Sequence, residues 1–223
     1  MKPFGERFRL FWAHETSLTI LLLVLVAHIF IVIPLGQATM LVRIISKMFY
    51  IALLIAGMFM LLRDLRLKII TLVLLTMLVL GSFFQSSEIE VADTLLGAFY
   101  CLMLSWVVLL RTFSDGPVTV HRILGAIVVY LLISFVFTML YQSIYLLEGE
   151  RAFKGLSSSD KKEFMYFSLT TLTTVGYGDI SPALPVNRSL ANLEALIGQL
   201  YPAILIGRLV SMEIESSKTK REK

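Results

Sequence analysis

Charge is scarce in this sequence: only 16% of its 223 residues are Asp, Glu, Lys or Arg, where a soluble domain carries about 25%. Cysteine is scarcer still. With Cys101 alone, no intrachain disulfide can form, and the sequence holds no record of redox compartment. The three histidines, His14, His28 and His121, lie far apart, and no H-E-x-x-H, C-x-x-C or G-x-S-x-G string occurs. They read as packing or interface residues, with His28, inside an apolar run, the one placed to titrate usefully. Internal repeats and low-complexity tracts are also missing. These absences leave no support for an enzyme, a resident cofactor or a catalytic residue. They also exclude a disulfide scaffold and a disordered chain.

What fills the sequence instead is hydrophobic surface, at 57% of residues with a mean hydropathy of +0.81. It is blocked into runs at 17–35, 47–62, 67–84, 91–110, 123–147 and 190–206. A membrane span needs roughly 20 apolar residues, so six such runs use up most of the chain. The expected fold class is an all-α membrane protein with six transmembrane helices and no separate soluble domain. The first run lies behind Lys2, Arg7 and Arg9 and has no A-x-A site after it, so it reads as a retained anchor and not a signal peptide.

The net charge of +4 and pI near 9.2 reflect basic residues at membrane flanks, in contact with lipid; nucleic acid is not implied. Six spans put both ends on one side. That side would collect Lys2, Arg7 and Arg9, then Arg63, Arg66 and Lys68, then Arg111 and Arg122, then Arg208 and the basic tail. The other would hold the acidic turn Glu88, Glu90 and Asp93. The excess of Lys and Arg marks the cytoplasmic face of a plasma or bacterial inner membrane, with both termini inside. Ser114-Asp115-Gly116-Pro117, a polar turn with two helix breakers, separates a four-span peripheral domain (1–116) from a second domain (117–212) and a short basic tail (213–223).

The long stretch between the last two spans carries the chemistry. Asp160, followed three residues later by Glu163, has the form of a capping box. The helix it predicts, 161–173, is too short to cross a bilayer. Thr174-Val175-Gly176-Tyr177-Gly178-Asp179 then follows, and two alternating glycines with a proline at 182 cannot continue a helix. Non-helical backbone at membrane depth is tolerated only where it is buried in protein or lines an aqueous path. The outline is a re-entrant pore helix and filter loop between helices five and six. A permeating cation must trade its water shell for other oxygens. Successive backbone carbonyls can supply these if Gly176 and Gly178 adopt conformations closed to residues with a Cβ. The Thr174 hydroxyl adds an oxygen, and the short helix directs its negative end below the filter.

Thr174-Val175-Gly176-Tyr177-Gly178 is identical to the potassium-channel signature. Over residues 119–212 the chain resembles that family in its order of span, pore helix, filter and span, and as a whole it looks like a compact bacterial-type six-span potassium channel. The resemblance implies K+ as the permeating ion, held by the carbonyls of Thr174, Val175, Gly176 and Tyr177 and the Thr174 hydroxyl. It also implies a homotetramer, since each chain supplies one of four loops. Asp179 matches the family, and Thr170 and Thr171 fall where the pore helix supports the filter. Tyr166-Phe167 stand where the family often has two tryptophans, the second giving an indole N–H; Phe167 has no donor.

Two residues of the sixth run stand out. Glu194 reads either as a buried acid bonded to hydroxyls such as Thr170 or Thr171, or as part of a cation-attracting ring. Gly198 has the spacing of the family's hinge glycine, or packs closely against a neighbour. The fourth run contains no Lys or Arg, only Asp93, so steep voltage gating is not expected. A subunit of a potassium-uptake transporter and a non-conducting regulatory protein are the competing readings. The former carries four pore loops in one chain, usually degraded, and the latter needs no intact filter.

Overall fold

The computed structural model describes residues 16–35, 69, 72–74, 76–78, 87–113, 119–156 and 160–221. Among them, four helical stretches are long and apolar enough to cross a membrane: Leu18–Leu35, Glu88–Leu110, Arg122–Ala152 and Pro185–Met212. The described residues are mostly helical, consistent with an all-α membrane protein. The runs expected at 47–62 and 67–84 lie outside the described residues apart from seven positions of the latter, as does the 114–117 turn. The chain forms two compact units, Met1–Leu80 and Gly81–Lys223.

In the first unit, helix α1 (Thr16–Ala27) passes into a π-helical turn, His28–Val32, and then a short helix α2 (Ile33–Leu35). The Ile33 N–H bonds the His28 carbonyl, five residues back. Pro34 explains the change of pitch. It has no N–H for the carbonyl four residues earlier, and its ring crowds that carbonyl, so one wider turn accommodates it.

In the second unit, α3 (Ser87–Thr112) lies along α4 (Val120–Glu148). Cys101, Leu104, Ser105, Val108 and Thr112 form the buried stripe of α3, falling at positions i, i+3, i+4, i+7 and i+11 along one face. Leu95, Phe99, Leu102, Trp106 and Leu110 stand exposed on its other side, the arrangement of a helix with lipid on one face. Ser105 and Thr112 each bond the carbonyl four residues back, at 2.8 and 2.9 Å, so their hydroxyls are satisfied within the helix. Ser143 of α4 donates to Thr94 of α3 at 3.1 Å.

After α4 the chain forms a 3-10 turn, Gly149–Ala152, and a strand β1 (Phe153–Lys154). Helix α5 (Lys161–Leu172) follows, then the loop 173–180, strand β2 (Ser181–Pro182) and α6 (Pro185–Arg221). Strands β1 and β2 pair antiparallel, Phe153 with Pro182 and Lys154 with Ser181. The capping position is as expected, but its chemistry is not. Asp160 occupies the N-cap of α5 with no side-chain cap bond, its carbonyl accepts the Glu163 N–H at 3.0 Å, and its carboxylate lies 3.8 Å from Lys162.

An aromatic cluster anchors α5 between α4 and β1. Phe137 and Tyr141 of α4, Phe153 of β1, and Phe164 and Phe167 of α5 are all buried together with Ile180. Their rings meet edge to face or tilted, at 4.9 to 6.2 Å, geometry that adds about 0.5–1.5 kcal/mol per pair beyond burial. Ser134 and Thr138 of α4 face α5 as well, and Thr138 also satisfies the Ser134 carbonyl at 2.8 Å.

Candidate functional site

The loop after α5 takes its shape from hydrogen bonds to the end of that helix. The Thr174 N–H bonds the Thr171 carbonyl at 3.0 Å, and the N–H groups of Val175 and Gly176 both bond the Thr170 carbonyl, at 2.9 and 3.1 Å. In a trans peptide the C=O points opposite to the N–H of the next residue, and no cis peptide occurs among the described residues. The carbonyls of Thr173, Thr174 and Val175 are therefore directed away from α5.

The backbone then alternates. Thr174, Gly176 and Gly178 have φ of 59°, 54° and 80°, whereas Val175 and Tyr177 have negative φ. Alternating positive and negative φ keeps successive carbonyls on one side of the chain. Two of the three left-handed positions are glycine, which adopts that conformation without penalty. Residues 173 through 179 are exposed in the single chain, Tyr177 by 71%.

The loop is braced at its far end. The Tyr166 hydroxyl donates to Asp179 Oδ2 at 2.7 Å, and the Tyr166 and Tyr177 rings lie parallel with centroids 6.3 Å apart. Phe167, which has no donor, is buried in the aromatic cluster, so the donor comes from the first residue of the pair instead of the second. The Tyr166 hydrogen bond holds the Asp179 carboxyl below its ordinary value of 3.8. Its contribution is therefore complete above that pH and disappears as acid carries the group through its depressed value. Tyr166→Phe should release this hold, and an NMR titration of Asp179 should move upward; an unmoved titration would remove Tyr166 as the brace.

Behind the loop, the other residues fall into place unevenly. Thr170 bonds the Phe167 carbonyl with its own hydroxyl, at 3.0 Å, and Thr171 supports the loop through its backbone. Neither reaches Glu194. That residue is completely buried, its Oε2 accepting from Tyr141 at 2.6 Å and its Oε1 from Ser168 at 2.5 Å. Its carboxylate is enclosed by α4 and α5. Gly198, one turn on, lies against the end of α5. A Cβ there would overlap the Leu172 carbonyl oxygen and sit 2.7 Å from its carbon. The same carbonyl accepts the Tyr130 hydroxyl at 3.1 Å, and Tyr130 stacks on Tyr201, whose hydroxyl bonds the Ala126 carbonyl.

Sequence reasoning missed Tyr130, Tyr141, Ser168 and Gly155, and it read Ser134 only as a hydroxyl that satisfies a backbone carbonyl, whereas that hydroxyl lies 3.0 Å from Ser168. Gly155 has φ of 80°, and a Cβ on it would overlap the Asp179 carbonyl oxygen, so the residue just after β1 buttresses the loop through bare backbone. Asn187 adds to that buttress by bonding the Ala152 carbonyl at 2.8 Å. Pro202 was also passed over. It lies inside α6 and has no N–H for the Gly198 carbonyl four residues earlier.

Residues 125–215 match the family described as "Ion channel". The matched segment contains α5, the loop and most of α4 and α6, and supports an ion-channel family for this part of the chain. Protein LctB of Bacillus caldotenax is 35% identical over 88 residues, which are 36% of this chain and 64% of that protein. Protein LctB of Geobacillus stearothermophilus is 41% identical over 49 residues, 22% of this chain and 36% of its own length. The chain thus spans less than two thirds of either relative. No solved structure matches.

Proposed function

We propose that the protein is a potassium-selective channel, a homotetramer in which four copies of the 174–178 loop surround one conduction path. The observation that carries this reading is the run of carbonyls turned from α5, with left-handed residues at every second position. Four copies of that run supply the rings of oxygens that replace the hydration shell of K+. Thr174, Val175, Gly176 and Tyr177 are the ligand-bearing residues, Gly178 ends the filter, and Asp179 and Tyr166 brace it.

The uncovered face of α6 supports assembly. Leu193, Leu196, Leu200, Ile204, Val210 and Ile214 are all exposed in the single chain, and few residues of Pro185–Met212 are buried, whereas Arg122–Ala152 is far more covered. A second copy of the same helix covers such a face. The basic residues at the span ends favour cytoplasmic termini. Purified protein in liposomes should pass K+ and exclude Na+ under an imposed gradient; equal permeability would reject the filter assignment.

Voltage should have little leverage on this channel. Each charge crossing the field gains about 2.3 kcal/mol per 100 mV, and steep gating uses about 3–4 per subunit. The 91–110 segment of α3 has no Lys or Arg at all. Gating currents should be absent with permeation blocked, and conductance–voltage curves as steep as several charges per channel would contradict the reading.

A further inference from the structure

The hydrogen bonds around Glu194 can be completed in two proton states, and only one of them is strengthened by charge. Its two contacts, 2.6 Å from Tyr141 and 2.5 Å from Ser168, have the lengths of O–H···O⁻ bonds, roughly twice as strong as neutral ones. Ser168 has two further oxygen neighbours on α4, the Ser134 hydroxyl at 3.0 Å and the Ser134 carbonyl at 2.9 Å. With Glu194 ionised, Ser168 gives its proton to Oε1 and can accept one from the Ser134 hydroxyl. A proton taken up from water onto Oε1 reverses that bond. The carboxyl then donates to Ser168, Ser168 turns its own proton onto the Ser134 carbonyl, and Tyr141 still donates to Oε2. No polar group is orphaned, and only hydroxyl hydrogens need move. The titratable groups facing the carboxyl are Tyr141 and Tyr130, both of α4; α5 contributes the uncharged Ser168.

We propose that Glu194 is a positioning residue whose ionised carboxylate clamps α6 to α5 and α4, a clamp that protons weaken. The inference rests on the channel reading, because what the clamp steadies is the helix that carries the 174–178 loop. One turn beyond Glu194, Gly198 lies against the Leu172 carbonyl, two residues before that loop. Slack between α5 and α6 at Glu194 is therefore passed to the loop's base.

The test uses the full chain in liposomes, with K+ efflux measured from about pH 5 to about pH 9, a range in which buried carboxyls titrate. Wild-type flux should fall by about fivefold in acid, the scale on which a charge-assisted bond outweighs a neutral one. Glu194→Gln keeps the shape and cannot ionise, so its flux should stay at the acid level throughout. Tyr141→Phe removes a donor to the carboxylate and should move the midpoint to higher pH. A flat wild-type profile, or a wild-type profile in Glu194→Gln, overturns the proposal. Infrared difference spectra separate this outcome from failure of the channel reading. If the vesicles pass no K+ at any pH, a protonated-carboxyl band that grows in acid and is lost in Glu194→Gln sustains the clamp while the channel reading falls. Without that band the clamp is overturned, whatever the flux.

Discussion

Replacing Gly198 by alanine should lower the thermal midpoint of the purified protein and its K+ flux together. The added methyl would meet the Leu172 carbonyl, a backbone group fixed by the end of α5 and by the Tyr130 hydroxyl. It cannot rotate aside as a side-chain tip could. Overpacking of this kind costs about 1–3 kcal/mol. Alanine gains about 1 kcal/mol over glycine within a helix, which offsets only part. A hinge glycine would behave differently: alanine would shift open probability and leave thermal stability unchanged or raised. Differential scanning fluorimetry beside single-channel recording separates the two. Unchanged stability with altered gating would restore the hinge, to which Pro202 lends a weak point by leaving the Gly198 carbonyl without its helical partner.

Gly178→Ala should abolish selectivity while leaving insertion and the aromatic core intact. Its effect is conformational and not steric, since a Cβ at Gly178 would meet nothing within 4 Å in the single chain, where φ is 80°. An L-residue held in that region costs about 1–2 kcal/mol. The loop escapes the penalty by turning residue 178 right-handed, which breaks the alternation and swings the adjacent carbonyls off the common side. Flux of K+ relative to Na+ in liposomes should approach unity. Wild-type selectivity in this variant would mean that the filter lies elsewhere.

The parts of this protein set by local chemistry were legible in its sequence. Apolar runs marked four of the helices now described, and the Asp160 signal marked the start of α5, although its carboxylate does not make the cap bond. The glycine alternation marked the loop. What could not be read were pairings between distant residues. Tyr141, Ser168 and Glu194 are separated by more than twenty positions each, and nothing local to Glu194 distinguishes the hydroxyls of Tyr141 and Ser168 from those of Thr170 or Thr171. A glycine is harder still. Gly155 and Gly198 matter for the backbone each one touches, and a residue without a side chain carries no sign of its neighbour. The donor to Asp179 was sought at Phe167 because a family pattern was followed where this chain shifts the role to Tyr166.

Thr174 is the one residue with a side chain among the described positions that holds a left-handed backbone, at φ 59°. Threonine is branched at Cβ and resists that region more than most residues, so the loop keeps roughly 1–3 kcal/mol of local strain. Glycine would remove the strain, and with it the only hydroxyl in the 174–178 loop apart from that of Tyr177. On the channel reading, selection for heat resistance alone would thus drift towards glycine at this position and produce a sturdier, less discriminating pore. Sturdiness and discrimination would then pull in opposite directions at a single backbone angle.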